Sequence, residues 1–122
     1  MKEFSSTGNP LVDIPALIRW CGNGLTFVEL LRFLPYLSGD NYYWVGNKNI
    51  IAWIGVSEQC VQALQELLAS EQIKANSTPP LTYLIDGCAL KLPLAKSYRL
   101  YKKPHWLPVT FSVPKATPAK AA

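Results

Sequence analysis

Few side chains in this sequence have the types and spacing that catalysis requires. The chain contains one histidine, His105, and residues 87–122 hold no Asp or Glu that could orient it. General acid–base chemistry needs a titratable group held against a partner, and nucleophilic chemistry needs a base beside the nucleophile. No glycine-rich phosphate loop, serine elbow or carboxylate cluster occurs along the chain. We therefore predict a protein that is not an enzyme and has no catalytic residues.

The cysteines are equally unsuited to metal binding. Cys21, Cys60 and Cys88 are widely separated, no C-x-x-C pair exists, and a single histidine cannot complete a zinc site. We expect reduced and mostly buried thiols, with no metal and no cofactor. The N-terminus has no secretory signal, and the longest apolar runs fall well short of the ~20 residues that a membrane span needs. The composition therefore predicts a cytoplasmic protein without a membrane partner.

The distribution of charge is the most informative feature of the composition. Residues 1–86 carry five basic and eight acidic residues, a balance of −3, whereas residues 87–122 carry seven basic residues and no acid, a balance of +7. A basic segment separated from the acidic residues is typical of proteins that bind a polyanion. The alternative is a basic tail that only keeps the protein soluble. Charge alone therefore favours a nucleic-acid partner.

Local signals predict two helices in the first third of the chain. Asp13 is placed to cap a helix over residues 14–20, in which a proline in the first turn is tolerated. Thr26 and Glu29 have the T-x-x-E spacing of a capping box, which opens a second helix from residue 27 to about residue 34. Residues 1–12 are predicted to be flexible.

The middle of the chain contains the clearest helix. Aromatic residues 42–45 favour a short strand, and residues 50–53 are predicted to form a brief helix capped by Asn47 or Asn49. A Gly-Val-Ser turn follows, and Ser57 caps a long amphipathic helix. Apolar side chains at helical spacing define its buried face, namely Val61, Leu64, Leu67 and Leu68.

After this helix the pattern changes to one typical of strands. Residues 73–76 and 81–85 flank a proline-containing tip and are predicted to pair as a β-hairpin, followed by a turn at residues 86–87. Further short strands or extended segments are predicted at residues 89–94, 98–101 and 109–113, and residues 114–122 are predicted to be disordered. The predicted core comprises Phe27, Leu31, Val61, Leu64, Leu67, Ile73 and Tyr83.

Residues 49–73 carry a resemblance to a known family. The sequence NIIAWIGVSEQCVQALQELLASEQI combines a predicted short helix, the Gly-Val-Ser turn and the long helix that leads into the predicted hairpin. This arrangement resembles bacterial winged helix-turn-helix regulators of the GntR and MarR types, over roughly residues 25–87. The resemblance implies an α+β winged helix-turn-helix with a C-terminal β-rich extension, in one domain spanning residues 13–113.

The resemblance also implies a function and a site. It implies a non-enzymatic regulator of transcription that binds double-stranded DNA, with a homodimer as one expected form. Exposed residues early in the long helix would lie in the major groove, the hairpin would act as a wing, and the later basic residues would contact phosphates. These residues are Ser57, Gln59, Cys60 and Gln62 on the helix, Lys74 and Asn76 on the hairpin, and Lys96, Arg99, Lys102 and Lys103 beyond it.

Two other interpretations remain open at the level of sequence. The long helix carries Glu58 and Glu66 but no Lys or Arg, which favours a winged helix that docks on a protein partner within a larger assembly. Alternatively, the aromatic residues among the C-terminal cations could stack on the bases of single-stranded nucleic acid or RNA. These aromatic residues are Tyr98, Tyr101 and Trp106.

Overall fold

The described part of the chain is a mixed α+β structure. The computed structural model describes residues 4–85 and 87–114, so the predictions for residues 1–3, for Asp86 and for residues 115–122 lie outside the described residues. The elements are α1 (Pro10–Cys21), α2 (Phe27–Phe33), β1 (Ser38–Trp44), β2 (Ile50–Val56), α3 (Glu58–Ala69), β3 (Lys74–Ser77), α4 (Pro80–Ile85), β4 (His105–Trp106) and β5 (Val109–Ser112), with a 3-10 turn at Pro35–Leu37.

Helix α1 begins earlier than the sequence predicted. Asn9, rather than Asp13, is the N-cap, and its side chain accepts a hydrogen bond from the Leu11 amide. Pro10 occupies the first turn, where its fixed φ suits a helix and its missing N–H leaves no bond unmade. Asp13 lies inside the helix and is buried. The flexible segment predicted for residues 1–12 is therefore wrong for residues 10–12.

Helix α2 confirms the predicted capping box. The Thr26 hydroxyl accepts a hydrogen bond from the Glu29 amide at 3.1 Å, and the Glu29 carboxylate accepts one from the Thr26 amide at 3.1 Å. Phe27 and Leu30 then face the core and are fully buried. The reciprocal cap fixes where the helix starts, so the sequence located this boundary correctly.

Residues 50–53 form part of a strand, so the predicted short helix is wrong. Strand β2 pairs antiparallel with β1 and, at Ile50 and Ile51, parallel with β4. Residues 50–53 are all buried, as expected for a strand covered on both faces. A short apolar run does not distinguish a buried helix from a buried strand, and the β-branched and aromatic composition favoured the strand. The helix-turn-helix predicted within residues 49–73 is therefore wrong. The Gly-Val-Ser turn does not form either, because β2 runs through Gly55 and Val56 and only Ser57 separates the strand from α3.

Helix α3 forms as predicted. Ser57 is its N-cap, and the Ser57 hydroxyl accepts a hydrogen bond from the Cys60 amide at 3.0 Å. The face that packs into the core carries Cys60, Ala63, Leu64 and Leu67, while Val61 and Leu68 pack against the core half-buried.

The predicted hairpin between residues 73–76 and 81–85 does not form. Strand β3 pairs with β5, where Lys74 opposes Ser112 and Ser77 opposes Val109. Residues 80–85 form helix α4 instead, because Pro80 suits a first helical turn and Tyr83 anchors the helix in the core. The Tyr83 hydroxyl donates to the Val109 carbonyl at 2.6 Å.

The last third contains fewer strands than the sequence predicted. The strand at residues 109–113 is confirmed as β5, but residues 89–94 and 98–101 form no strand. A bridge between Leu25 and Phe111 extends the smaller sheet, whose order is Leu25, β5, β3. The larger sheet has the order β1, β2, β4.

The two sheets and α1, α2 and α3 share one main core. Five of the seven predicted core residues are buried, namely Phe27, Leu64, Leu67, Ile73 and Tyr83, whereas Leu31 and Val61 are half-buried against it. Trp106 anchors the long β3–β5 connection, since its indole N–H donates to the Ala52 carbonyl at 3.2 Å. No helix among the described residues is long and apolar enough to cross a membrane.

Candidate nucleic-acid interface

Four of the predicted phosphate-binding residues lie together in one surface loop. This basic loop, residues 96–103, contains Lys96, Arg99, Lys102 and Lys103, all of which are exposed. It follows buried Ala95, and Tyr101 within it packs against Ile50 of β2. The loop is therefore attached to the body of the protein by apolar contacts while its cations face solvent.

The loop is fixed on the turn that joins β1 to β2. The Tyr101 amide donates to the Lys48 carbonyl at 3.1 Å, and the Asn49 side-chain amide donates to the Tyr101 carbonyl at 2.8 Å. The ammonium of Lys48 lies 5.2 Å from the centroid of the Tyr98 ring, a cation–π contact. Lys48 thus joins the cations of the loop, although it was not predicted from the sequence to belong to the site.

The aromatic residues of the loop hold its arginine in place. The guanidinium of Arg99 lies 5.0 Å from the centroid of the Tyr101 ring, and that ring stacks on the ring of His105 at 3.9 Å. A hydrogen bond with Arg99 is the main cause that lowers the pKa of Tyr101 to about 8, and hydrogen bonds with Ser97 contribute. Partial burial acts in the opposite direction. Arg99 is therefore positioned rather than free to rotate.

The exposed face of α3 has a different character. Gln59 and Gln62 are exposed, as predicted, but the groove that they line is shared with residues 9–11 at the start of α1. Glu66 also lines this groove, and Glu58 accepts a 3.4 Å hydrogen bond from the Gln62 side chain. Lys96 and Tyr98 line another groove, which has no residue in common with the first. The structure therefore does not bring the two glutamines to the basic loop.

Cys60 cannot contact a base, and its assignment to the site is wrong. Its side chain is fully buried, because it lies one turn before Leu64 on the apolar stripe of α3. Burial raises the pKa of the Cys60 thiol to about 12, so the group is neutral. The prediction of mostly buried thiols is also only partly correct, since Cys21 is half-buried and Cys88 is exposed.

Ser57 and the two β3 residues are accessible to different degrees. Ser57 is half-buried, its hydroxyl caps α3, and its amide donates to the Leu37 carbonyl at 2.8 Å. Lys74 and Asn76 are exposed on β3, and the Asn76 amide group donates to the Ser112 hydroxyl at 3.1 Å. Ala75 of the same strand lines a groove beside α3, so strand alternation directs Lys74 and Asn76 to the opposite face of the sheet.

An apolar groove of about 410 Å³ lies between α3 and the smaller sheet. Trp44 and Gly46 line one side of it, and Leu68 of α3 and Ala75 of β3 also line it. Leu107 is shared between this groove and the one that contains Lys96 and Tyr98. The groove of the basic loop thus adjoins a groove that Gln65 and Leu68, in the C-terminal half of α3, help to line.

No family model matches this chain. No curated protein and no solved structure matches it at a significant level either.

Within the described ranges 4–85 and 87–114, no three His, Cys, Asp or Glu side chains are grouped so that they could hold a metal ion. The function of this protein is therefore inferred from the residues of the chain itself.

Proposed function

We propose that the protein is a non-enzymatic winged-helix protein that binds nucleic acid, with double-stranded DNA as the first candidate. A winged helix packs three helices on a small sheet, and the connection between its last two strands is the wing. Helix α1, the Leu25 bridge, α2, α3, β3 and β5 follow one another in that order, with β5 in the middle of the sheet. The β1–β2 hairpin is an addition between α2 and α3, where a helix-turn-helix would have a short turn.

The charge of the β3–β5 connection carries the proposal. This connection, residues 78–108, would be the wing of the proposed fold, and it contains five exposed cations against one acidic residue, Asp86. The cations are Lys91, Lys96, Arg99, Lys102 and Lys103. Phosphate contacts made by lysine and arginine supply most of the affinity of non-specific DNA binding, because they release condensed counterions. A basic wing is therefore a phosphate-binding surface even where the neighbouring helix carries no cation.

The salt dependence of binding tests this proposal. If about four cations contact phosphates, raising the salt concentration from about 50 to about 200 mM weakens binding about 100-fold, since each contact contributes about 0.9 to the logarithmic slope. Fluorescence anisotropy of a labelled blunt duplex measures both the affinity and the slope. We expect Lys102→Ala combined with Lys103→Ala to lower the slope by about 2.

A matched control removes the same charge elsewhere. Arg19 and Arg32 are exposed on α1 and α2, and Arg19→Ala combined with Arg32→Ala changes the net charge equally. We expect this pair to leave the slope unchanged. Equal effects of the two double variants would show a diffuse charge effect and no wing contact. Absence of binding to duplex DNA and to RNA at low salt would refute the proposal.

A protein-binding winged helix is the second candidate, and the exposed face of α3 favours it. That face presents Glu58 and Glu66 and no cation, so it would repel phosphates and attract a basic partner. Neutralising both groups, as Glu58→Gln with Glu66→Gln, separates the candidates. Tighter duplex binding would place α3 against DNA, whereas unchanged duplex binding with loss of affinity for an oligolysine peptide would support the docking role.

A further inference from the structure

Three large aromatic side chains are exposed beside the basic loop. Tyr42 and Trp44 on β1 are 46% and 45% exposed, and Tyr98 in the loop is 58% exposed. We refer to Tyr42, Trp44 and Tyr98 as the aromatic row. Strand alternation explains the first two, because Tyr43 between them points into the core. A group of exposed aromatic side chains on a water-facing surface is typical of an interaction site.

The geometry within the row suits stacking on flat ligands. The rings of Tyr42 and Trp44 are stacked, with centroids 5.8 Å apart and an interplanar angle of 21°, so each ring keeps its outer face for a further stacking partner. The Tyr98 hydroxyl lies against Gly46, two residues after Trp44, where an added Cβ would collide with it. The absence of a side chain at Gly46 therefore allows the loop aromatic to approach the end of β1.

Cations flank this row. Lys48 lies against the Tyr98 ring, Lys96 precedes Tyr98 by two residues, and Arg99 follows it directly. An exposed apolar patch on α4 differs in this respect. It consists of Leu81, Leu84 and Ile85 on α4, without a cation in the helix. Charge complementarity thus favours the aromatic row over the α4 patch as a surface for an anionic ligand with flat groups.

We propose that the aromatic row binds unpaired nucleobases of a single strand while Lys48, Lys96 and Arg99 contact its phosphates. Every base offers a π-face for stacking, so such a surface tolerates any sequence. Bases inside a duplex are stacked on each other and do not expose these faces. The inference rests on the proposed nucleic-acid binding and adds a second mode of it, in which unpaired bases make stacking contacts that a duplex does not. Loss of one stacking side chain should weaken single-strand binding by about 5- to 150-fold.

Tryptophan fluorescence tests the inference, because the four tryptophans differ in exposure. Trp53 and Trp106 are buried, whereas Trp44 and Trp20 are almost equally exposed, at 45% and 44%. Trp20 packs edge-on against Phe4 and Phe33, which do not belong to the row. Trp20→Phe is therefore the matched control for Trp44→Phe. A short oligo(dT) strand and a blunt duplex of equal length are titrated against the full chain.

We expect oligo(dT) to quench the emission of the wild-type protein and of Trp20→Phe, but not that of Trp44→Phe. Trp44→Ala, checked for folding by circular dichroism, should weaken oligo(dT) binding within the range given above and leave duplex binding almost unchanged. Duplex binding without Trp44-dependent quenching would overturn the stacking inference and leave the proposed function intact. Failure of both ligands to bind at low salt would overturn both. An equal loss of oligo(dT) affinity in Trp20→Phe and Trp44→Ala would also contradict the inference.

Discussion

The buried carboxylate of Asp13 should make the stability of this protein sensitive to acid. Its oxygens accept four hydrogen bonds, from the Thr7 amide and hydroxyl at 2.8 Å each, the Gly8 amide at 3.0 Å and the Tyr36 hydroxyl at 2.6 Å. Burial alone would raise the pKa of Asp13, but the hydrogen bonds from Tyr36, Thr7 and Gly8 together lower it below its ordinary value of 3.8. The folded state therefore favours the ionised form.

The expected loss of unfolding free energy follows from the hydrogen bonds that each variant removes. Tyr36→Phe deletes one hydrogen bond to a charged group, which we expect to cost about 1.5–3 kcal/mol of unfolding free energy. In Asp13→Asn the side-chain oxygen can still accept the hydrogen bonds from Thr7, but an NH2 group replaces the oxygen that accepts from the Gly8 amide and the Tyr36 hydroxyl. We expect this change to lower the unfolding free energy by about 2–4 kcal/mol. Asp40 is an exposed carboxylate on β1, and Asp40→Asn should change stability by less than about 0.5 kcal/mol.

The ionised Asp13 carboxylate should stabilise the protein at neutral pH and lose this effect in acid. A carboxylate with a lowered folded pKa stabilises the protein fully above its unfolded pKa, and this stabilisation is lost as the pH falls through the folded value. Urea unfolding of the wild type and Asp13→Asn between about pH 7 and pH 2 should therefore show two curves that converge in acid. Equal stability at neutral pH, or a difference that grows as the pH falls, would refute this account.

Three further expectations concern Gly39 of β1, the thiols and the basic loop. A Cβ at Gly39 would lie 2.6 Å from a backbone carbon at the start of α3, so Gly39→Ala should lower the unfolding free energy by about 1–3 kcal/mol in thermal or urea unfolding. Cys88 is exposed, whereas burial raises the pKa of Cys60 to about 12, so a thiol reagent should modify Cys88 at neutral pH and Cys60 only after unfolding. The ultraviolet absorbance of Tyr101 should titrate near pH 8 and shift toward 10 in Arg99→Ala.

Local signals in the sequence predicted the helices well where a cap fixed the boundary. Thr26 and Glu29 start α2, and Ser57 starts α3, because a side chain within three residues of each start satisfies a free amide. The prediction at Asp13 failed, since Asn9 with the following proline offered an earlier start. Once Asp13 lay inside the helix, its carboxylate turned to the preceding loop and to Tyr36.

The pairing of strands that are distant in the sequence could not be predicted from such local signals. Strand β3 follows α3 directly, as a first hairpin strand would, but its partner β5 begins more than thirty residues later. The nearer residues 81–85 have Leu81, Leu84 and Ile85 at helical spacing, which the strand prediction overlooked. At residues 50–53 the apolar run had no polar face to reveal its period, and only pairing with both β1 and β4 decides its conformation.

The candidate site was predicted in its charge but not in its shape. Lys96, Arg99, Lys102 and Lys103 are close in sequence, so any fold keeps them close in space. Lys48 joins them only because the loop is bound to the β1–β2 turn, where the Lys48 carbonyl accepts a hydrogen bond from the Tyr101 amide. No local sequence pattern predicts this contact. The glutamines of α3 were grouped with these cations on the basis of the resemblance, and their groove lies beside α1 instead.

The separation of charge across the fold constrains how a nucleic acid can approach. A phosphate bound at the basic loop would lie beside the groove that Gln65 and Leu68 line, in the C-terminal half of α3, where the helix dipole is negative. Entry of the α3 N-terminus into a major groove would bring Glu58 and Glu66 toward the phosphates, with no cation on the helix to compensate. Strand engagement through the loop and aromatic row avoids this repulsion. The acidic face of α3 then stays free for a second contact.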